Sequence, residues 1–476
     1  MKTNNLFKKF LTYSYGSFIG LLIGFLTTMV STRLLNPTEF GKSSIFVLVI
    51  NILMILVIIG TDQTFMRFYY EEKEDKRGGL LYNVIKIPLL LSLLFSILIL
   101  CFYKEISEVL FGEINIQLIL ILIIGYFSQF ILRFGNVVIR MNQRGNLFSI
   151  IEVLKRLLQL ILLIIMYFVF GASYKIVVYS TVLTFFILSI ISILLEKKFW
   201  SLNGLKITNL KHNKFEIVRY SYPLAITVLI TWLFQSFDQM AIRQWSSFEE
   251  LGLYSAAFKI IALLTVVQVA FSTFWTPVCY EKFENNYNDK HFFTLTTSVV
   301  SLFMFSVSIV VIMLKDYIVL LLGADFYDAS KIIPYLVFIP LMYTISETTV
   351  MGINFYKKPK WHVLIALLSL GVSVILNIIL VPNYGGVGAA IGTAISHIIF
   401  FTLRTLISLK YYKVDYKLNK IFTMIVLVFS YALLSLDDSI QHITLGMIIL
   451  FLNIIIYRKD IIKVYKKNIS RSLTNS

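Results

Sequence analysis

Fourteen runs of roughly 17 to 25 mostly apolar residues follow one another along the 476-residue chain, each long enough to cross the hydrocarbon core of a bilayer. Their approximate extents are 9–34, 43–62, 80–102, 117–140, 147–170, 173–195, 217–240, 251–275, 292–314, 331–356, 361–381, 387–409, 418–436 and 441–457. No water reaches that core to satisfy an exposed peptide group, so a spanning segment bonds its own backbone, and runs of this length do so as helices. The expected fold class is therefore all-α integral membrane, with about 14 transmembrane helices. Composition agrees: 58% of residues are hydrophobic and 14% charged, far from the balance of a soluble domain. The first run follows Lys8-Lys9 but is too long for a signal peptide and shows no small-residue cleavage site.

A formal net charge of +17 would point to nucleic acid if the cations formed a surface stripe. They sit instead in alternate loops, the pattern of the positive-inside rule. The strongest contributors are Lys197, Lys198, Lys206, Lys211, Lys214 and Arg219, together with the tail from Arg458 to Arg471. This places both termini in the cytoplasm of a multi-pass protein whose partners include membrane lipids and no nucleic acid. In that topology Cys101 lies near the outer face and Cys279 near the inner one, too far apart for a disulfide.

The chain also repeats itself. Tyr13-Ser14-Tyr15 recurs as Tyr220-Ser221-Tyr222, and Glu39-Phe40-Gly41 as Glu250-Leu251-Gly252, at offsets of 207 and 211. Lys104-Glu105 before Gly112 returns as Lys315-Asp316 before Gly323, and Phe170-Gly171 as Tyr384-Gly385. Two pseudo-symmetric six-helix lobes are expected, residues 1–200 and 201–410, followed by helices 13 and 14 and a basic cytoplasmic tail in 411–476. Each lobe has an even number of spans, so both have the same orientation, and a duplication of this kind points to a transporter whose bundles rock. Loops are short, the longest internal one being about 196–215, which leaves no room for a soluble catalytic domain. Gly16, Gly20 and Gly24 form a flat strip on helix 1, suited to close packing inside the bundle. Pro88, Pro223, Pro334 and Pro340 fall within spans, where the missing donor bends a helix.

A charge at mid-bilayer costs about 2.5 to 3.5 kcal/mol on insertion scales, so buried charges normally face a polar interior. In helix 4, Gln129, Arg133, Asn136 and Arg140 share one face, and helix 5 returns with Glu152, Lys155 and Arg156. One arrangement pairs Glu152 with Arg156 while Arg140 and Lys155 snorkel to the headgroups. The other is a cationic, substrate-binding cavity of Arg133, Lys155, Arg156 and Arg140 with Gln129 and Asn136, since the guanidinium fork suits phosphate. In the second half Glu347 stands at the repeat position of Arg133, and Thr231, Gln235 and Asp238 line one face of helix 7. Lys259 is close enough in depth to pair with Asp238. Either that pair is structural, or Glu347, Asp238, Lys259 and Glu152 serve gating or ion coupling. Asp62 and Arg33 end their runs, where interfacial exposure is expected, and His397 is placed for a hydrogen bond between helices. No metal-ligand spacing, nucleophile motif or phosphate-binding glycine loop stands out, so no catalytic residue, metal or cofactor is expected, and the chain reads as a non-enzyme. Directional transport would draw on an H+ or Na+ gradient, the membrane potential or the substrate gradient.

At Arg33-Leu34-Leu35-Asn36-Pro37-Thr38-Glu39-Phe40-Gly41 the chain resembles the Wzx polysaccharide-export flippases of the multidrug/oligosaccharidyl-lipid/polysaccharide exporter (MOP) superfamily. The stretch Val381-Pro382-Asn383-Tyr384-Gly385-Gly386-Val387-Gly388-Ala389-Ala390 resembles the segment before that family's twelfth span. The resemblance implies MATE-like lobes and a flippase of the bacterial plasma (inner) membrane. Its cargo would be a polyprenyl-pyrophosphate-linked oligosaccharide for capsule, O-antigen or exopolysaccharide synthesis, with polysaccharide-assembly enzymes as further partners. Three alternatives stand beside it: a lipid II flippase for peptidoglycan synthesis, a cation-coupled multidrug exporter, and a membrane-embedded polysaccharide polymerase or glycosyltransferase.

Overall fold

The computed structural model describes the backbone at residues 3–200, 210–287, 289–436 and 441–474, and the side chains there apart from 3–17, 441, 461 and 463–474. The Tyr13-Ser14-Tyr15 and Gly16 side chains, Lys206, the expected lobe boundary at 201 and the distal basic tail lie outside the described residues. The helices of the first half are α1 Thr3–Leu34, α2 Pro37–Ile58, α3 Thr61–Phe68, α4 Arg77–Cys101, α5 Tyr103–Phe111, α6 Ile116–Met141, α7 Gly145–Phe170 and α8 Lys175–Leu195. They are followed by α9 Lys214–Trp245, α10 Phe248–Ile261, α11 Leu264–Asn285, α12 Lys290–Met313, α13 Lys315–Val319, α14 Ile333–Leu336, α15 Phe338–Thr349 and α16 Met351–Phe355. α17 Lys360–Tyr411, α18 Leu418–Leu434 and α19 Gln441–Thr474 complete the chain, and the described residues contain no strand.

Among the described residues nine helices are long and apolar enough to cross a membrane, or up to eleven if each of two bent pairs is one span. The bent pairs are α10 with α11, at 40°, and Ala324–Lys331 with Ile333–Thr349, at 50°. Length and hydropathy therefore do not yield the fourteen separate spans expected. α17 joins two expected runs across a break at Gly385 (φ 52°, ψ −131°), while Phe18–Leu34 and α18 are apolar but shorter than the rest.

The chain divides into two compact units, Met1–Ser236 and Phe237–Ser476, with the border inside α9. In the first, α7 packs along α1, and α8 packs on α6 and α7. In the second, α12 lies against α15 and α19, and α15 against α17. Lipid supplies no hydrophobic drive between helices, so close approach by small residues decides these contacts. A side chain on Gly135 would collide with Ser192, and one on Gly352 with the Ser408 backbone, which is the same device in each unit.

The repeated glutamates have a structural reason. Asn36 caps α2 by accepting from the Glu39 N–H at 2.9 Å, with Pro37 opening the helix, and Ser247 caps α10 through the Glu250 N–H at 3.2 Å. The two carboxylates then reach equivalent turns: Glu39 Oε2 accepts from the Tyr174 N–H, and Glu250 Oε2 from the Gly386 N–H, each at 2.7 Å. Those turns hold Gly171 and Gly385 at positive φ, 64° and 52°. The motifs that echo along the sequence are thus two copies of a latch between a helix start and a loop.

Candidate functional site

Within the first unit a cavity of about 430 Å³ is bounded by α2, α3, α6, α7 and α9 up to Trp232. Its polar wall is built by local signals in the chain. Ile59 and Gly60, both left-handed at φ 47° and 69°, end α2 and start α3 with Asp62 in its first turn. The heptad-like spacing of α6 then brings Gln129, Arg133 and Asn136 to the same wall, opposite Glu152 and Lys155 of α7.

Arg133 donates through Nε and Nη2 to Asp62 Oδ2 at 3.0 and 2.6 Å. The Asp62 side chain is 5% exposed and that of Arg133 46%, so the carboxylate is buried and the guanidinium faces open space. Asp62 is therefore buried within the protein rather than exposed as expected. Asn136 Nδ2 donates to Glu152 Oε1 at 3.4 Å, and Gln129 Nε2 to Asn51 Oδ1 at 3.2 Å. Lys155 Nζ stands 5.6 Å from the centre of the Phe185 ring. With Arg133 and Lys155 against Asp62 and Glu152, the lining is balanced in formal charge rather than cationic.

Two of the expected cations do not line this cavity. Arg156 lies against Gly20 and Gly24 of α1, so the described part of the glycine strip serves packing within the bundle, and no ion pair joins Arg156 to Glu152. Arg140, exposed in the last turn of α6, places its guanidinium carbon 5.5 Å from the Phe148 ring centre, because a helix end lets a long cation reach solvent.

The second unit holds the other candidates apart from these. Glu347 accepts from Arg404 Nη2 at 2.9 Å, while Arg404 Nη1 donates to Ser346 at 2.5 Å. The Arg404 guanidinium also sits about 5 Å from the rings of Tyr343 and Phe400. The charge contrast between Arg133 and Glu347 is thus resolved inside each unit, by Asp62 and Arg404. Asp238 is buried and satisfied by neutral donors: Thr393 at 2.6 Å, Asn377 at 2.8 Å, Tyr254 at 2.9 Å and Ser373 at 3.4 Å. These donors, not the expected Lys259, satisfy it, since Lys259 is exposed on α10 while the carboxylate points inward. His397 Nδ1 lies 2.9 Å from the Thr393 carbonyl of its own helix.

A family model described as "Polysaccharide biosynthesis protein" matches residues 6–283, more than half of the chain. The chain belongs to that family. No curated protein sequence matches it significantly. Among solved structures it is similar to the lipid II flippase MurJ in an inward closed conformation, with 20% identity and a TM-score of 0.70 over 95% of this chain and 100% of that one. It is also similar to an inward-facing multidrug resistance MATE family transporter of the MOP superfamily, with 13% identity and a TM-score of 0.61 over 86% of this chain and 95% of that one. A MOP superfamily transporter from Pyrococcus furiosus aligns at 16% identity with a TM-score of 0.52, over 88% of this chain and 96% of that one. At these identities the likeness shows the fold alone, an all-helical architecture shared with these flippase and transporter structures.

Several residues of both clusters were not anticipated from sequence. Asn51 sits in an apolar run with no polar neighbour three or four residues away, whereas Trp232 is followed at helical spacing by Gln235 and Ser236, and Arg404 by Ser408, so a polar face was available to find those two. Ser373 and Asn377 are four apart in an apolar run, a pattern that marks a polar face and was available to find them.

Proposed function

We propose that the protein is a flippase that moves a polyprenyl-pyrophosphate-linked oligosaccharide across the bacterial plasma membrane, exposing the cavity of the first unit to one membrane face and then the other. The observation that supports this best is a charged, amide-rich cavity set inside apolar helices of a chain from a polysaccharide biosynthesis family. Nη1 of Arg133 is not engaged by Asp62 and is left to donate to a phosphate oxygen, with Lys155 as a second cation facing it across the cavity.

Coupling to an ion is assigned in this reading to the Asp238 cluster. A buried carboxylate ringed by hydroxyls, beside an Asn377 Oδ1 that has no protein donor, offers hard oxygen ligands to a proton or a monovalent cation. Glu347 with Arg404 is the gating candidate.

Deletion of the gene in its host is expected to abolish surface glycan while lipid-linked precursor accumulates on the inner leaflet, and re-expression restores export. Undiminished export in the deleted strain would sink the reading. Rescue of cells depleted of lipid II flippase activity would instead assign the protein to peptidoglycan synthesis, the rival with the same fold.

A further inference from the structure

The four charges on the cavity wall are matched in number, and what remains unmatched there is amide. Asn136 Oδ1 and Gln129 Oε1 are buried and accept no hydrogen bond. Asn136 turns Nδ2 toward Glu152 Oε1 at 3.4 Å, which leaves Oδ1 facing away from that carboxyl. The Gln129–Asn51 amide pair leaves a polar atom unused in either orientation. A buried acceptor without a donor costs roughly 1 to 3 kcal/mol, a cost that a ligand carrying O–H or N–H groups removes. Phosphate esters carry no such donors at neutral pH, whereas sugar hydroxyls and acetamido groups do. Trp232 lines the same cavity, half-buried, and its indole makes no hydrogen bond or ring stack among the described residues. An apolar ring face beside polar acceptors matches a pyranose, which has a C–H face and a hydroxyl rim.

We infer that Asn136, Gln129 and Trp232 form a subsite for an uncharged, hydroxyl- and acetamido-bearing sugar, so that this wall reads the glycan by its donors rather than by negative charge. The inference rests on the flippase reading for its setting and concerns which part of the cargo the wall contacts.

The test uses purified full-length protein in lipid nanodiscs, with N,N′-diacetylchitobiose, digalacturonic acid and inorganic pyrophosphate as probes, followed by tryptophan fluorescence and calorimetry. The neutral disaccharide is expected to bind at least as tightly as digalacturonic acid. Asn136→Ala, Gln129→Leu and Trp232→Ala should each weaken it about 3- to 10-fold, the size of one hydrogen bond or one ring contact. Pyrophosphate binding should be unchanged by all three and reduced by Arg133→Ala. Thermal melting identifies any variant that fails to fold, and the remaining two still decide. Disaccharide affinity that none of the folded variants alters, preference for the acidic disaccharide, or no disaccharide binding overturns the subsite. Glycan export by the unmodified protein in deleted cells is scored in parallel, and its failure counts against the flippase reading alone.

Discussion

Arg133 and Asp62 share hydrogen bonds but not an environment, and the difference sets how each responds to loss of the other. Arg133→Ala strands a carboxylate that is 5% exposed, which should cost about 3 kcal/mol or more of stability. Asp62→Ala leaves a guanidinium that is 46% exposed and stays solvated, so about 1 kcal/mol or less is expected. Melting curves of the two purified variants check the order, and equal losses would count against this account of the pair. Glu196, just beyond α8, accepts from Arg144 and Asn142, yet burial dominates and raises its carboxyl above the ordinary range. A raised carboxyl favours the protonated native state, so the contribution is present below the ordinary carboxylate range and is lost as pH rises through the raised value. Glu196→Gln should flatten that decline in a melting series across acidic to neutral pH.

At the scale of elements, the two latches make unequal demands on their turns. Gly171 and Gly385 both occupy positive-φ conformations that other residues avoid, at roughly 1 to 3 kcal/mol each. A Cβ on Gly171 would meet nothing within 4 Å, whereas one on Gly385 would lie 2.6 Å from the Glu250 carboxylate. Gly385→Ala should therefore lower the melting temperature clearly more than Gly171→Ala. The same comparison explains why the Glu-x-Gly and aromatic-Gly pairs echo in the sequence. They are two ends of one contact, and the contact is what the duplication retained.

For the whole molecule, the alternating basic loops lead to a topology that a reporter can read. A fluorescent protein fused after Ser476 should fluoresce, and alkaline phosphatase at the same point should be inactive, since both termini are expected in the cytoplasm. If the Asp238 cluster couples transport to an ion, Asp238→Asn should remove the dependence of export on the H+ or Na+ gradient while the protein still inserts. Export that keeps its gradient dependence in that variant would assign coupling elsewhere.

Span-length apolar runs determined a helical membrane protein without any tertiary information, because hydrocarbon permits few other solutions to the backbone. Spacing along one helix was equally legible, which is why Gln129, Arg133 and Asn136 could be placed on one wall, with Glu152 and Lys155 of the next helix facing it. Partners were not legible, since they come from other helices at no fixed sequence distance. Only the tertiary structure brought Asp62 to Arg133, Arg404 to Glu347 and Thr393 to Asp238, and turned Arg156 toward the glycines of α1. Sequence counts charges, but whether a cation is free or already answered is settled by three-dimensional neighbours within hydrogen-bonding range.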